Sequence, residues 1–259
     1  MKANIATTRP SHYESCPAIR CERTSAHCFD DNIIQEVPLN VYANNTLIRS
    51  LTCSPWDIYE LTIGLLVSSE LIKSIADVTS FDYIENSHEV RVAYSSAKYM
   101  HTNTSQILDT PIDGVSIMNG MHVLESNSRL FHCTGGVHSA VLMDKNGIIS
   151  WFEDIGRHNA LDKLIGWATI HHITMSDKVI LFSGRVPYEI ISRVKTCGCH
   201  CIVSPGAPTS LSIQEAITNN ISLIGFARDD RFNIYSHPEH IKLPCVEKLD
   251  TPPQVTKAS

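Results

Sequence analysis

A chain of 259 residues, 43% apolar and 19% charged, is long enough for one large or two modest globular domains. Its net charge of −6 excludes a nucleic-acid binder held by phosphate neutralisation, which needs a basic face. No stretch approaches the ~20 apolar residues of a membrane helix, and residues 1–30 hold scattered charges with no apolar run, so no membrane partner and no secretory signal are predicted. The nine cysteines then read as reduced thiols or ligands in a cytoplasmic protein, and an odd number rules out complete internal pairing.

Residues 1–32 lack periodicity and scatter His12, Cys16, Cys21, His27 and Cys28 at spacings that match no compact zinc pattern, so they predict an irregular, exposed arm. "EVPLNVYA" and "TLIRSLTC" predict two strands turning at Asn44-Asn45. A helix follows, with Ser54 as cap, Pro55 at its first position, Asp57 answering the cap, and Ile58, Leu61 and Leu65 on one apolar face. "FDYIE" and "EVRVAY" predict a second strand pair, which makes residues 33–112 a small α+β domain. Residues 95–115 are polar and predict a long loop, and a helix is expected over 116–127.

From residue 137 the pattern becomes an alternation. "SAVLMD", "IISWFED", "KVILFSG", "CIVSP", "SLIGFAR" and "RFNIYS" predict strands, with helices after Asn159, Pro187 and Thr209 between them. The continuous apolar runs "KVILF" and "SLIGF" suit strands buried on both faces. Residues 113–243 therefore predict a layered α/β domain. The polar, proline-rich tail 244–259 predicts disorder.

Ligands of such sheets bind beyond the carboxyl ends of the strands. There this chain places "IGRHNALDK", "SGRVPYE", "PGAPTS" and "RDDR", with Arg157, Arg185, Arg228 and Arg231 suited to bidentate phosphate recognition. Gly184 and Gly206 predict close approach of backbone amides, and the helix starts near 159, 187 and 209 offer unpaired N–H groups, so the junctions together predict an anion site. His158 and Asp162, four apart on one helix, can form a local pair. "TCGCHC" (196–201) is dense in ligands, but its alternate-residue spacing is not that of a zinc knuckle. Buried thiols at a helix-to-strand junction are the favoured reading there, and no metal is assigned.

These blocks, "TGGVHSA", "EDIGRHNALDKLIG", "FSGRVPYEI", "APTSL" and "IGFARDDRFNIYS", together with "LTCSPWDIYELTIGLLVSSELI", resemble the signatures of the formate dehydrogenase accessory sulfurtransferases, the FdhD/NarQ family, from about residue 35 to 240. The resemblance implies a larger domain similar to the cytidine-deaminase fold and a cytoplasmic homodimer. It implies a sulfur carrier that takes persulfide sulfur from a cysteine desulfurase to the Mo-bis(molybdopterin guanine dinucleotide) cofactor of formate dehydrogenase, with GDP as an analogue of the bound nucleotide. Cofactor binding is expected at Thr134, Gly135, Gly136 and His138; Arg157, His158 and Asn159; Ser183, Gly184 and Arg185; Pro208, Thr209 and Ser210; and Phe226, Ala227, Arg228, Asp229, Asp230 and Arg231.

One departure bears on mechanism. The Cys-x-x-Cys that the resemblance leads one to expect before the "TGG" helix is absent, since residues 95–114 contain no cysteine. A persulfide carrier needs an exposed thiolate. Three readings stay open: Cys133, beside His132 and His138, substitutes as carrier; Cys197, Cys199 or Cys201 does so from a helix-to-strand junction away from the loop; or the chain binds the cofactor as a chaperone without moving sulfur. Deaminase chemistry is excluded, because zinc there needs His-x-Glu and Pro-Cys-x-x-Cys, whereas this chain has "HSA" and "PGAPTS".

Overall fold

The computed structural model describes residues 12–95 and 111–243. In chain order the elements are β1 (Tyr13–Cys21), β2 (Ala26–Ile34), β3 (Val37–Ala43), β4 (Thr46–Cys53), α1 (Ile58–Ser68), β5 (Val78–Ile84), β6 (Glu89–Tyr94), β7 (Ile112–Asp113), α2 (Gly114–Asn127), α3 (Arg129–Thr134), β8 (His138–Asp144), β9 (Gly147–Asp154), α4 (Arg157–Ile170), β10 (Val179–Phe182), α5 (Tyr188–Thr196), β11 (Cys201–Val203), α6 (Ser210–Thr218), β12 (Ser222–Arg228), β13 (Arg231–Ile234) and β14 (Ile241–Lys242). The class is mixed α/β, as the sequence predicts. The predicted tail and most of the polar loop lie outside the described residues.

The irregular arm is corrected over its described part. β1 and β2 pair antiparallel without interruption from Tyr13↔Ile34 to Cys21↔Ala26. Both strands are largely exposed, so nothing selects an alternation of apolar and polar residues, and the sequence carries no strand signal. The Asn44-Asn45 turn forms as predicted, with both residues at positive φ (47° and 64°), the left-handed pair of a tight hairpin.

The α1 cap is also corrected. Asp57, at φ 54°, precedes the helix without a side-chain cap. Ser54 turns away from the helix: its N–H donates to Asp154 Oδ2 (3.1 Å) and its Oγ accepts from Ile155 N–H (3.3 Å). A long-range buried contact displaces the local capping pattern.

Two main sheets organise the chain. The smaller runs β4-β3-β6-β5 and the larger β13-β12-β11-β10-β8-β9. β10, β11 and β12 are mutually parallel, and β8 is antiparallel to both β10 and β9. Strands β9 to β12 therefore all point the same way, and the four predicted junctions share one edge.

One hydrophobic core joins the small sheet, α1, α4, α5 and one face of the large sheet, including Leu39, Leu61, Leu66, Leu161, Leu164 and Ile180. A second, built on Ile117, Met121 and Leu124 of α2, covers the opposite face. The expected division at residue 112 thus lies across a shared core.

The seam of that core is the crossing of α1 and α4. A Cβ added at Gly64 would sit 1.7 Å from the Asp162 carbonyl oxygen, and one at Gly166 would sit 1.8 Å from that of Glu60. Only two glycines let these backbones touch.

Candidate functional site

At the carboxyl edge of the large sheet, on the α2 face, lies a cavity of about 350 Å³. Met118, Met121 and Leu124 from α2, Phe131 from α3 and Val137 give it an apolar wall. His138, Ser139, Ser183 and Ala227 form the floor, and Arg228, Asp229, Asp230 and Arg231 form the rim.

The rim is a hairpin. Arg228 and Arg231 are paired across β12 and β13, with Asp229 and Asp230 at positive φ (53° and 57°) between them. A bulge at Gly225–Arg228 precedes it, where Phe226 takes φ 53°, and bulges of this kind re-aim side chains. Asp230 Oδ1 meets His122 Nε2 at 2.7 Å, and this hydrogen bond, with the carboxylate's charge, raises the His122 pKa above its ordinary value. On the floor, Ser183 Oγ accepts the Ser139 N–H (2.8 Å) and lies 3.4 Å from His138 Nδ1. Burial, helped by the Arg157 charge, lowers the His138 pKa, so the cavity holds a neutral imidazole at neutral pH.

The structure brings His138, Ser183, Ala227 and Arg228–Arg231 together, but not the rest of the expected set. The "TGG" block ends α3. Gly135 has φ 66° and closes the helix through Phe131 O, while Thr134 Oγ1 donates to Leu130 O and accepts from Gly136 N–H. Gly136 faces Ile34 of β2, so this turn seats the N-terminal hairpin.

Gly184 and Gly206 are accounted for by packing within the protein. A Cβ at Gly184 would meet Arg157 Cβ at 3.2 Å, and one at Gly206 would meet Arg185 Cα at 3.0 Å. The Gly206 N–H is taken by Ser204 Oγ, which itself donates to the Gly184 carbonyl. Val186 and Pro208 bridge the same two loops. Thr209 caps α6 through Ser212 N–H, beside the exposed Ser210. These glycines therefore pack loop against loop.

Most of "EDIGRHNALDK" is structural. Lys163 Nζ and Asp154 Oδ2 pair at 2.8 Å with both side chains fully buried. Asp154 also accepts from the N–H groups of Ser54 and Gly156 and from Asn159 Nδ2, which reaches on to Thr52 O. Asn159 is thus committed to stitching β4 to the large sheet. The expected His158–Asp162 pair is corrected as well: Asp162 is buried and binds Ser68 Oγ (2.6 Å) and Arg193 Nε (3.0 Å).

The two remaining residues of the block stay available. Arg157 Nε and His158 Nε2 are buried, and among the described residues neither has a hydrogen-bond partner. Burial, with the charges of Arg193 and Arg157, lowers the His158 pKa to about 4. An orphaned guanidinium nitrogen and a neutral imidazole in a positive field suit an anion. This locus flanks the cavity through Arg157, whose charge reaches His138.

The cysteines separate by burial. Desolvation raises Cys53 to about 12 and Cys199 to about 11, and it also pushes up Cys197 and Cys201. Cys16, Cys21 and Cys28 are exposed on the N-terminal hairpin. Cys133 is partly exposed on α3, next in sequence to the cavity residues Phe131 and His132, but is not itself among the lining residues. His132 Nε2 is held by Glu125 O (2.7 Å). Sequence reasoning missed the apolar wall of Met118, Met121 and Leu124, because these residues read simply as the core face of a helix.

The FdhD/NarQ family model matches residues 34–242. The chain belongs to the FdhD/NarQ family. It is 36% identical over 239 residues to the sulfur carrier protein FdhD of Bacillus licheniformis, covering 82% of this chain and 91% of that one. It is 38% identical over 241 residues to that of Staphylococcus haemolyticus, covering 82% and 90%. A crystal structure of a formate dehydrogenase accessory protein from Desulfotalea psychrophila superposes with a TM-score of 0.79 at 21% identity, over 90% of this chain and all of that one. Within this FdhD/NarQ chain, the segment where a Cys-x-x-Cys was expected falls mainly in 96–110, outside the described residues, and contains no cysteine.

Proposed function

We propose that this chain is a cytoplasmic sulfur carrier that binds the Mo-bis(molybdopterin guanine dinucleotide) cofactor and serves formate dehydrogenase maturation, with Cys133 as the carrier thiol. The observation that carries the reading is the cavity. It pairs an apolar wall able to hold a base with two arginines at its mouth, and α3, the helix that bears Cys133, forms one side of it. About 350 Å³ lies at the lower end of the ~300–1,000 Å³ of small-molecule sites and suits one guanine nucleotide portion of the cofactor. Arg228 and Arg231 take the phosphates, and the unpartnered Arg157 and His158 extend the anion field behind His138.

Sulfur arrives when the Cys133 thiolate attacks the terminal sulfur of a persulfide on a cysteine desulfurase, releasing the desulfurase thiolate. The relatives' name supports a carrier role. Cys133 is favoured over the thiols of the α/β core because burial holds Cys53, Cys197, Cys199 and Cys201 protonated. The chain acts as a homodimer in this role.

A second reading has its own observation. Cys133 is not among the cavity's lining residues, as expected of a chaperone that holds the nucleotide without moving sulfur. Incubation with a cysteine desulfurase and cysteine, followed by intact mass under non-reducing conditions, separates the two. The carrier gains one sulfur atom, about 32 Da, and loses the gain in Cys133→Ala. A chain that stays unmodified, or a Cys133→Ala variant that is still modified to the same extent, removes Cys133 as carrier.

A further inference from the structure

At the opposite edge of the large sheet, where β12 begins, the 3-10 turn Pro238–His240 gathers His237, Glu239 and His240. Their ligating atoms all lie within 4.8 Å of one another. The rings of His237 and His240 stack at 15° with centroids 5.3 Å apart, so both imidazoles are held in place.

The neighbouring hydrogen bonds fix which nitrogens are free. His237 Nε2 lies 3.0 Å from the Ile217 carbonyl oxygen, which can only accept, so that nitrogen carries the proton. Ser222 Oγ donates to the His237 carbonyl (2.9 Å), and it therefore accepts from His240 Nδ1 at 2.9 Å. His240 Nε2 and His237 Nδ1 are left as the nitrogens that can ligate, the latter on giving up the proton it shares with Glu239. This is the arrangement of metal-binding histidines, whose second nitrogen is anchored by a carbonyl or hydroxyl.

Glu239 Oε1 lies 2.8 Å from His237 Nδ1. A carboxylate facing an imidazole lone pair needs a cation between them, either a proton or a metal. With ligand bonds of ~2.1 Å, that separation corresponds to an angle of roughly 85° at a metal, near octahedral, and a small opening of the exposed Glu239 side chain gives the tetrahedral angle.

We infer that His237, Glu239 and His240 form a binding site for a borderline divalent cation of the zinc type, which fixes the turn after β13. Two imidazoles and one carboxylate select such an ion over the hard, oxygen-preferring cations. Ile217 lies in α6 and Ser222 opens β12, so the groups that orient the two imidazoles come from the elements on which the turn packs. Ser222 and His240 are buried, and the site lies at the other end of β12 from the nucleotide cavity.

The test is zinc titration calorimetry and cobalt absorption on the full-length protein, with Glu239→Gln and His237→Gln alongside. One Zn²⁺ per chain is expected to bind, with affinity falling at least tenfold in each variant. Co²⁺ is expected to give visible bands lost in both variants, without the thiolate charge-transfer absorption of a cysteine site. The metal-free Glu239→Gln protein should melt like the wild type, because that side chain is largely exposed. No Zn²⁺ uptake below ~0.1 mM overturns the site. So does an unchanged affinity in either variant, or a cobalt spectrum made only of thiolate absorption.

Discussion

Two regions of the large sheet's carboxyl edge use the same kinds of residue for opposite purposes. On the α4 side, Asp154, Asn159 and Lys163 bond to one another and to the small sheet, and Asp162 bonds to Ser68 of α1 and Arg193 of α5. On the α2 side, Arg228 and Arg231 stand exposed at the mouth of an apolar cavity. A signature block dense in polar residues is therefore not by itself a binding site. What separates these four side chains from the two rim arginines is whether each polar group is already satisfied inside the fold.

Substitutions can break this contrast. Lys163→Met leaves Asp154 buried and unpaired, and is expected to cost ~3–5 kcal/mol in chemical denaturation. Gly64→Ala forces α1 from α4 and is expected to reach the upper end of the ~1–3 kcal/mol of overpacked cores, read as a lower melting temperature.

A smaller effect sharpens the comparison through pH. His158 is held near 4 in the fold, below its ordinary 6.5. Above about pH 6.5 both folded and unfolded chains are neutral at this site. Between there and about 4 the unfolded chain binds a proton that the fold resists, so stability falls as the pH drops through that window. His138 contributes with the same sign. Denaturation at stepped pH is expected to show this loss, and His158→Asn to reduce it. On the cavity side, Arg228→Ala and Arg231→Ala are expected to leave stability within ~0.5 kcal/mol of wild type, because both side chains are exposed.

Much of the fold was legible because its signals are local. The Asn44-Asn45 turn, the helix after Thr209 and the apolar runs "KVILF" and "SLIGF" each stand at the position their residues require. The N-terminal hairpin was not, since strands exposed on both faces have no burial pattern to display. Nor was the Ser54 contact, whose partner Asp154 lies 100 residues away.

The candidate site was legible in part. Convergence of four strand ends follows from parallel topology, so Arg228 and Arg231 could be anticipated. Which face of the sheet each junction serves depends on where α2 and α4 pack, and no local pattern in "SGRV" or "PGAP" encodes that. Gly184 and Gly206 read as openings for a ligand because close packing of loop on loop leaves the same glycine mark.

Calorimetry with GDP tests the central claim most directly. Binding by the wild type and at least a tenfold loss in both Arg228→Ala and Arg231→Ala, with Arg185→Ala much less affected, is the result expected of a nucleotide held in the α2-side cavity. Undiminished affinity in both rim variants contradicts it.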